Sequence, residues 1–329
     1  MIPKHYFDVI CCPACRGDLA EPREDQLRCA SCGAEYPIVD GIPVLVEGSD
    51  DEVSRQVAAF YKDGWRRTQG GALRAKTIHD DITDLGQRYA GEGGRRFRDH
   101  FKLRNGGSMY MLDAACGGQP QALGLTFTYH VCVDFSLAGL AECRRLLGDR
   151  AIVVCGSLLK LPIRAEVCDG VVAAHCIYHI HKDRQAEALG ELSRVLAPGG
   201  SMLVFYANPA ASPSPILKGW AMYWYRWLMR RERARAAAET ASAVAETAPA
   251  VSRPVYTYLH PIDYMMAALS AGNRTRVTVH SLRLFTQEES RPALRSRFRK
   301  PFFRLFTLLE KVFRSRPHLA YYVAYVVEK

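Results

Sequence analysis

Residues 112–121 read LDAACGGQPQ. They close an apolar run, MYMLDAAC, with an acid and then a glycine turn. A strand ending this way sets backbone amides at the carboxyl edge of a parallel sheet, where doubly wound folds hold nucleotides. Asp134 stands 21 positions beyond Asp113, at the end of the next apolar run, YHVCVDFS. From there its carboxylate can accept hydrogen bonds from two ribose hydroxyls, a geometry shared by dinucleotide and S-adenosylmethionine (SAM) sites. The absence of G-x-G-x-x-G from DAACGGQP speaks against an NAD-dependent dehydrogenase. The stretch predicts an α/β nucleotide fold and leaves the cofactor open.

Outward from this loop, strands alternate with helices, the signature of a parallel sheet with crossover connections. A helix, SLAGLAECRRLLG, carries Leu137, Leu140 and Leu147 on one face. The strands AIVVCG and CDGVVAAHCIYHI follow, then a helix from about Asp183 to Leu196, a PGG turn and the strand SMLVFYA. These five β units make half or more of a doubly wound sheet. Beyond Asn208 the prolines of NPAASPSP forbid a continuing strand. Residues 208–253 are first aromatic and basic, then alanine-rich, and predict a helical, partly low-complexity insertion or lid. Order resumes near VYTYLHPIDYMMAAL and ends with a basic helix and the strand-like AYYVAYVVEK. On the other side of the core, residues 49–107 predict a helical cap with Phe60, Tyr61, Trp65, Tyr89 and Phe97 as buried contacts.

Cys12, Cys15, Cys29 and Cys32 form two C-x2-C pairs with thirteen residues between them. Two such knuckles let four thiolates converge tetrahedrally on Zn2+, and four thiolates leave no open position, so the metal is structural. Residues 1–48 end in YPIVDGIPVLVEG, which reads as a strand closing this zinc ribbon; a core that small needs a staple. The other seven of the eleven cysteines, Cys116, Cys132, Cys155, Cys168 and Cys176 among them, read as small buried side chains. Reduced thiols fit a cytoplasmic chain, since disulfides are rare there. No apolar run reaches the roughly 18 to 20 residues that span a bilayer, and MIPKHYFDVICCPAC has no apolar signal core.

The net charge of +10 resides in two stretches. Lys218–Arg235 holds six basic residues and one acidic, Arg283–Arg316 ten and three. Both interleave charge with aromatics, as WAMYWYRWLMRR and RSRFRKPFFRLFTLLEKVFRSR. That combination suits peripheral attachment to an anionic membrane surface, or RNA, with rings stacking on bases. A lid helix packed over an acceptor pocket is the other reading of the first stretch.

The order LDAACGG, VCVDFSLAGL, GSLLKLPI and CDGVVAAHCIYHIHKDRQAEALGELSRVLAPGGSMLVFY resembles the class I SAM-dependent methyltransferases of the quinone-biosynthesis type, most specifically in ELSRVLAPGG. The zinc ribbon is similar to the small methyltransferase partner proteins. The resemblance extends over residues 110–206 and the ribbon, and thins over the last 75 residues. It implies a doubly wound, Rossmann-like α/β sheet of seven strands over residues 108–329, with an N-terminal zinc ribbon and a helical insertion after strand five. It also implies SAM as cofactor. Asp113 and Gly117 would line its methionine end, with Ala114, Ala115, Cys116 and Gly118 supplying loop backbone. Asp134 would hold the ribose, Phe135 would lie against the adenine with Ser157 and Leu158 at its edge, and Ala174 and His175 would lie near the sulfonium.

Three departures accompany the resemblance. The family's D-x-G-C-G-x-G reads D-A-A-C-G-G-Q, so Ala115 and Gln119 stand where glycines are usual. Ser157 replaces the acid that usually follows strand three. Alanine is tolerated at 115 if φ is negative there and costs on the order of 1 kcal/mol if the loop needs φ > 0. A serine can still hydrogen-bond the adenine amine, more weakly than a carboxylate.

Methyl transfer is an in-line displacement in which alignment supplies most of the acceleration, and an oxygen acceptor gains from a base. AAHCIYHIHKD offers His175, His179 and His181, of which His175 and His179 are the catalytic candidates; the competing reading is that one histidine caps the following turn and another is a surface residue. Tyr206, Tyr258 and His260 are further candidates for the acceptor wall. The expected function is SAM-dependent methylation of a small or lipid-linked molecule, a surface-glycan or secondary-metabolite intermediate. The alternatives are an RNA base methyltransferase that binds RNA through the ribbon and basic segments, and a catalytically silent binding protein on the same fold.

Overall fold

The computed structural model describes residues 2–46, 52–62, 109–121, 127–211, 255–271, 275–285 and 299–329, together with positions 65, 97, 101, 230, 290, 293, 294 and 296. The anticipated insertion at 208–253, including its aromatic and basic stretch, lies almost wholly outside the described residues. Of the cap at 49–107, the described part is one helix and three single positions.

Four antiparallel strands open the chain: β1 (Leu19–Arg23), β2 (Gln26–Cys29), β3 (Glu35–Val39) and β4 (Ile42–Leu45). The sequence predicts one strand in YPIVDGIPVLVEG, but the structure folds it into a hairpin. Asp40 and Gly41 take φ of 51° and 70°, the left-handed pair that a two-residue Asp-Gly turn supplies. The turn aims β4 at the core sheet, where it lies parallel to a core strand and not at the rim of a separate module.

After helix α1 (Glu52–Lys62) come β5 (Tyr110–Ala114), β6 (Tyr129–Asp134), α2 (Leu137–Leu147), β7 (Ala151–Gly156), β8 (Cys168–Ala174), α3 (Gln185–Val195) and β9 (Leu196–Ala207). Helix α4 (Ile262–Ser270), β10 (Arg276–Arg283), α5 (Arg299–Val312) and β11 (Tyr322–Glu328) complete the described elements of regular structure longer than a single turn. The strands form one sheet in the order β1-β2-β3-β4-β7-β6-β5-β8-β9-β11-β10. The expected sheet of seven strands is therefore one of eleven. Its seven strands from residues 110–328 continue into the four N-terminal ones through Val44 against Cys155 and Leu45 against Gly156.

The central strands are parallel and buried on both faces, which is why their sequences read as near-continuous apolar runs. Every residue of β7 is buried. By contrast β10 lies at the sheet's edge and is half-buried over much of its length, so RVTVHSLR carries no such run. Helix α2 begins where Ser136 Oγ accepts a hydrogen bond from Gly139 N at 3.2 Å, an N-cap. A Cβ at Gly139 would lie 2.6 Å from the Gly117 carbonyl oxygen, so this glycine allows the helix to press against the loop after β5. No helix among the described residues is long and apolar enough to cross a membrane.

Candidate functional site

The carboxyl ends of β5, β6, β7 and β8 surround a cavity of about 360 Å3. The sheet reverses its winding between β5 and β8, the switch point at which such folds leave a crevice. β5 and the loop after it give the cavity Asp113, Ala115, Cys116 and Gly117; β6 and the residue after it give Asp134 and Phe135; the segment after β7 gives Ser157 and Leu158; β8 and the segment after it give Ala174, His175 and His179. Ala114, the last residue of β5, and Gly118 of the loop are not among the lining residues. Ala114 points into the core, and Gly118 faces Trp65.

The loop departs from a relaxed backbone at two positions. Ala115 has φ of 52° and Gly117 φ of 54°. Position 115 therefore requires the left-handed region that favours glycine, and the alanine there bears a cost of about 1–2 kcal/mol. Asp134 fastens the loop: its Oδ2 accepts from Gly117 N and its Oδ1 from Ser136 N, both at 2.8 Å. A carboxylate offers about four lone-pair sites, so further hydrogen bonds from a ligand's hydroxyls remain available. Burial raises the Asp134 pKa to about 6, against the lowering effect of those backbone donors.

On the opposite wall His175 is held in the left-handed region, φ 58°. Its backbone N–H donates to the Phe205 carbonyl at 3.0 Å, while its Nδ1 is buried with no hydrogen-bond partner among the described residues. Burial, and then the charge of Arg283, lowers its pKa to about 4, so the ring is neutral near pH 7. His179 is oriented from both sides. Its Nδ1 lies 2.8 Å from the Tyr256 carbonyl and its Nε2 3.2 Å from the Tyr61 hydroxyl. A carbonyl can only accept, so Nδ1 carries the proton and Nε2 accepts from Tyr61. Burial lowers the His179 pKa and raises that of Tyr61. His181 caps the next turn through Nδ1, which accepts from Asp183 N.

Tyr206, Tyr258 and His260 are not brought to this cavity. Tyr206 is fully buried, donates to Gln185 Oε1 at 2.9 Å and accepts from His260 N at 2.9 Å. Tyr258 is exposed, and His260 stacks on Tyr264 with ring centroids 3.7 Å apart. The cavity's outer wall comes instead from Ser54, Val57, Ala58, Tyr61 and Trp65. Ser54, Val57, Ala58 and Tyr61, spaced three, one and three, share one face of α1, and this is the signal by which the sequence could have revealed Ser54, Val57 and Ala58.

In the N-terminal domain the Sγ atoms of Cys12, Cys15, Cys29 and Cys32 all lie within 4.8 Å of one another. Cys12 and Cys32 are 3.7 Å apart, Cys15 and Cys29 3.4 Å. Zinc–sulfur bonds of about 2.3 Å in a tetrahedron separate thiolates by about 3.8 Å, so the donor set and spacing fit zinc. The Tyr36 hydroxyl, 3.1 Å from Cys12 Sγ, can donate to it as a thiolate.

With this geometry in hand, two families match the chain. The one described as a methyltransferase domain matches residues 112–204, and the one described as Trm112p-like protein matches residues 6–41. Its N-terminal part belongs to the Trm112p-like family, and it is joined to a segment that matches the methyltransferase domain over less than a third of the chain. Over 126 residues it is 36% identical to the ubiquinone/menaquinone biosynthesis C-methyltransferase UbiE of Syntrophotalea carbinolica, which is 36% of this chain and 51% of that protein. It thus spans about half the length of that relative. The Trm112p-like domain is 34% identical to a UPF0434 protein of Saccharophagus degradans over 64 residues, 19% of this chain and 100% of that protein. Among solved structures, geranyl diphosphate C-methyltransferase from Streptomyces coelicolor shares the fold, with a TM-score of 0.50 at 13% identity, covering 86% of this chain and 98% of that one. The cavity described above sits within the methyltransferase domain, beside the edge strand to which the Trm112p-like domain is paired.

Proposed function

We propose that the chain is a SAM-dependent methyltransferase whose acceptor is a small or lipid-linked molecule. The observation that carries this reading is the outer wall of the cavity. Val57, Ala58, Tyr61 and Trp65 close over Gly117 and Asp134 with mostly apolar side chains, which suits a compact apolar acceptor better than a polyanion.

When bound, SAM supplies an electrophilic methyl group on a sulfonium. The chain's own residues bind and align. Backbone at Ala115, Cys116 and Gly117 would hold the methionine end, Asp134 would accept from the ribose hydroxyls, Phe135 would lie against the adenine, and Ser157 and Leu158 would lie at its edge. Ala174 and His175 face the reacting centre. Tyr61 and His179 form a relay on the acceptor side: an acidic acceptor hydrogen passes to the Tyr61 oxygen as the Tyr61 proton passes to His179 Nε2. The Tyr256 carbonyl holds the imidazole in the tautomer that permits this. Zinc on Cys12, Cys15, Cys29 and Cys32 supports the Trm112p-like domain and takes no part in the chemistry.

Calorimetry with SAM and with its demethylated product tests the reading. Micromolar binding of both, with methyl transfer to apolar acceptors extracted from cells, supports it. No binding below about millimolar favours the silent binding protein, an affinity that corresponds to about −4 kcal/mol. Co-purified RNA whose retention falls steeply with salt favours the RNA methyltransferase instead.

A further inference from the structure

Three more cysteines converge directly beneath the cofactor loop. Cys116 comes from that loop, Cys132 from β6 and Cys143 from α2, and their Sγ atoms lie within 4.8 Å of one another. Cys116 and Cys143 are 3.7 Å apart, and the Cys143 thiol also donates to the Gly117 carbonyl at 3.3 Å. Cys155 and Cys176 stand outside this group, bonding the Phe135 and Ala114 carbonyls. The surroundings of the trio are apolar, with Ile42, Leu140, Ala151 and Val153 in the same cluster.

We propose that Cys116, Cys132 and Cys143 form a thiol site for a trivalent metalloid, and that its occupancy resets the cofactor loop. Charge decides which thiophile fits. A divalent cation on three thiolates leaves a net negative charge in an apolar cluster, beside the carboxylate of Asp134, and an uncompensated buried charge is costly. A trivalent centre on three thiolates is neutral. Arsenous acid reaches the same product without any change of oxidation state. Each As–OH bond is replaced by an As–S bond, and each thiol proton leaves with a hydroxide as water. Entry is from the cofactor cavity, which Cys116 lines. Bonding to arsenic removes the Cys143 hydrogen bond to the Gly117 carbonyl and draws on Cys116, so the loop that Asp134 holds through Gly117 must shift.

The test uses the full, zinc-loaded chain with arsenite as probe. One arsenic is expected per chain, with zinc content unchanged and three sulfur neighbours seen by X-ray absorption at arsenic. Cys132→Val and Cys143→Ala should each weaken uptake by about 100-fold or more, since loss of a supporting contact alone costs 10- to 100-fold in metal sites. Circular dichroism identifies a variant that fails to fold, and the absorption spectrum of the unaltered chain decides without either. Arsenic bound as zinc leaves, uptake unchanged in the folded variants, or fewer than three sulfur neighbours overturns the site. The coupling to the loop rests on the proposed function, and arsenic should lower SAM affinity about tenfold or more. Unchanged SAM affinity with arsenic bound overturns the coupling, whereas absence of SAM binding in the untreated chain overturns the proposed function and leaves the thiol site standing.

Discussion

Arg16 of the Trm112p-like domain reaches Glu191 of the methyltransferase domain, Nη2 to Oε2 at 2.7 Å across 175 positions of chain. Glu191 also accepts from Leu161 N at 2.8 Å and from Arg194, Nε at 2.8 Å. Both arginines donate in turn to the Leu161 carbonyl. Glu191 and Arg194 are the acid and base of ELSRVLAPGG, so the string that most resembles its family also clamps the two domains together. Glu191→Ala leaves two guanidinium groups facing each other and a buried N–H unpaired, and should cost about 1–3 kcal/mol. Arg16→Ala, at a half-exposed position, should cost about 1 kcal/mol or less. Urea titrations of the two variants check the order, and the reverse order would reject Glu191 as the centre of the clamp.

Removal of zinc should reach the cofactor pocket. Leu45 of β4 pairs with Gly156, and Ser157, next in the chain, lines the cavity. The Tyr6 hydroxyl further donates to the Ala151 carbonyl and accepts from Val153 N, both at 3.1 Å. A chelator that strips the ribbon should therefore lower the melting temperature and weaken SAM binding together. Full SAM affinity in zinc-free protein would mean that the domain docks without supporting the pocket.

The parts of this arrangement that were legible in the sequence are those with a short-range cause. Buried parallel strands announce themselves as apolar runs, Ser136 announces a helix start, and the C-x2-C pairs announce their own convergence. The pairing of β4 with β7 has no such cause: it depends on a two-residue turn at Asp40–Gly41 and on which edge of the sheet is free. The wall at Ser54, Val57, Ala58 and Tyr61 had the right period, but period alone cannot say what a helix covers. The strain at Ala115 was posed by the sequence as a conditional and resolved only by φ.

Asp134 should make cofactor binding pH-dependent. Its pKa rises from an ordinary value near 3.8 to about 6 in the folded chain, chiefly through burial. Hydroxyl donors need the carboxylate, so SAM affinity should fall as pH drops below about 6. Stability without ligand runs the other way. Between the two pKa values the folded state holds more protons than the unfolded one, so this group stabilises the fold progressively as pH falls through that window. Asp134→Asn should remove both dependences and weaken SAM binding at pH 7.5. Calorimetry and thermal melts between pH 5 and pH 8 check this, and a variant that keeps wild-type affinity would reject the ribose assignment.

Ala115→Gly should stabilise the protein, opposite to the usual effect of glycine. Relief of the left-handed strain is worth about 1–2 kcal/mol, against about 0.4–1 kcal/mol of unfolded-state entropy that glycine adds. A net gain of up to about 1.6 kcal/mol, about 0.8 kcal/mol at the centre of the two ranges, should appear as a raised melting temperature. Ala114→Gly, one residue earlier in the buried end of β5, should lower it. If both substitutions lower it equally, position 115 carries no strain.

Tyr61→Phe separates chemistry from binding. The phenol donates to His179 Nε2 at 3.2 Å, and the ring closes the cavity. Phenylalanine keeps the ring and deletes only the proton carrier. A relay role predicts that kcat falls by about 100-fold, within the range usual for a lost general acid or base, while SAM affinity and stability stay within about twofold of the wild type. His179→Gln should lower kcat comparably, and the double variant should be little worse than either single one, because the two groups act in series. Losses that multiply in the double variant would show two independent contributions, and an unchanged kcat in Tyr61→Phe would reduce Tyr61 to a wall of the pocket.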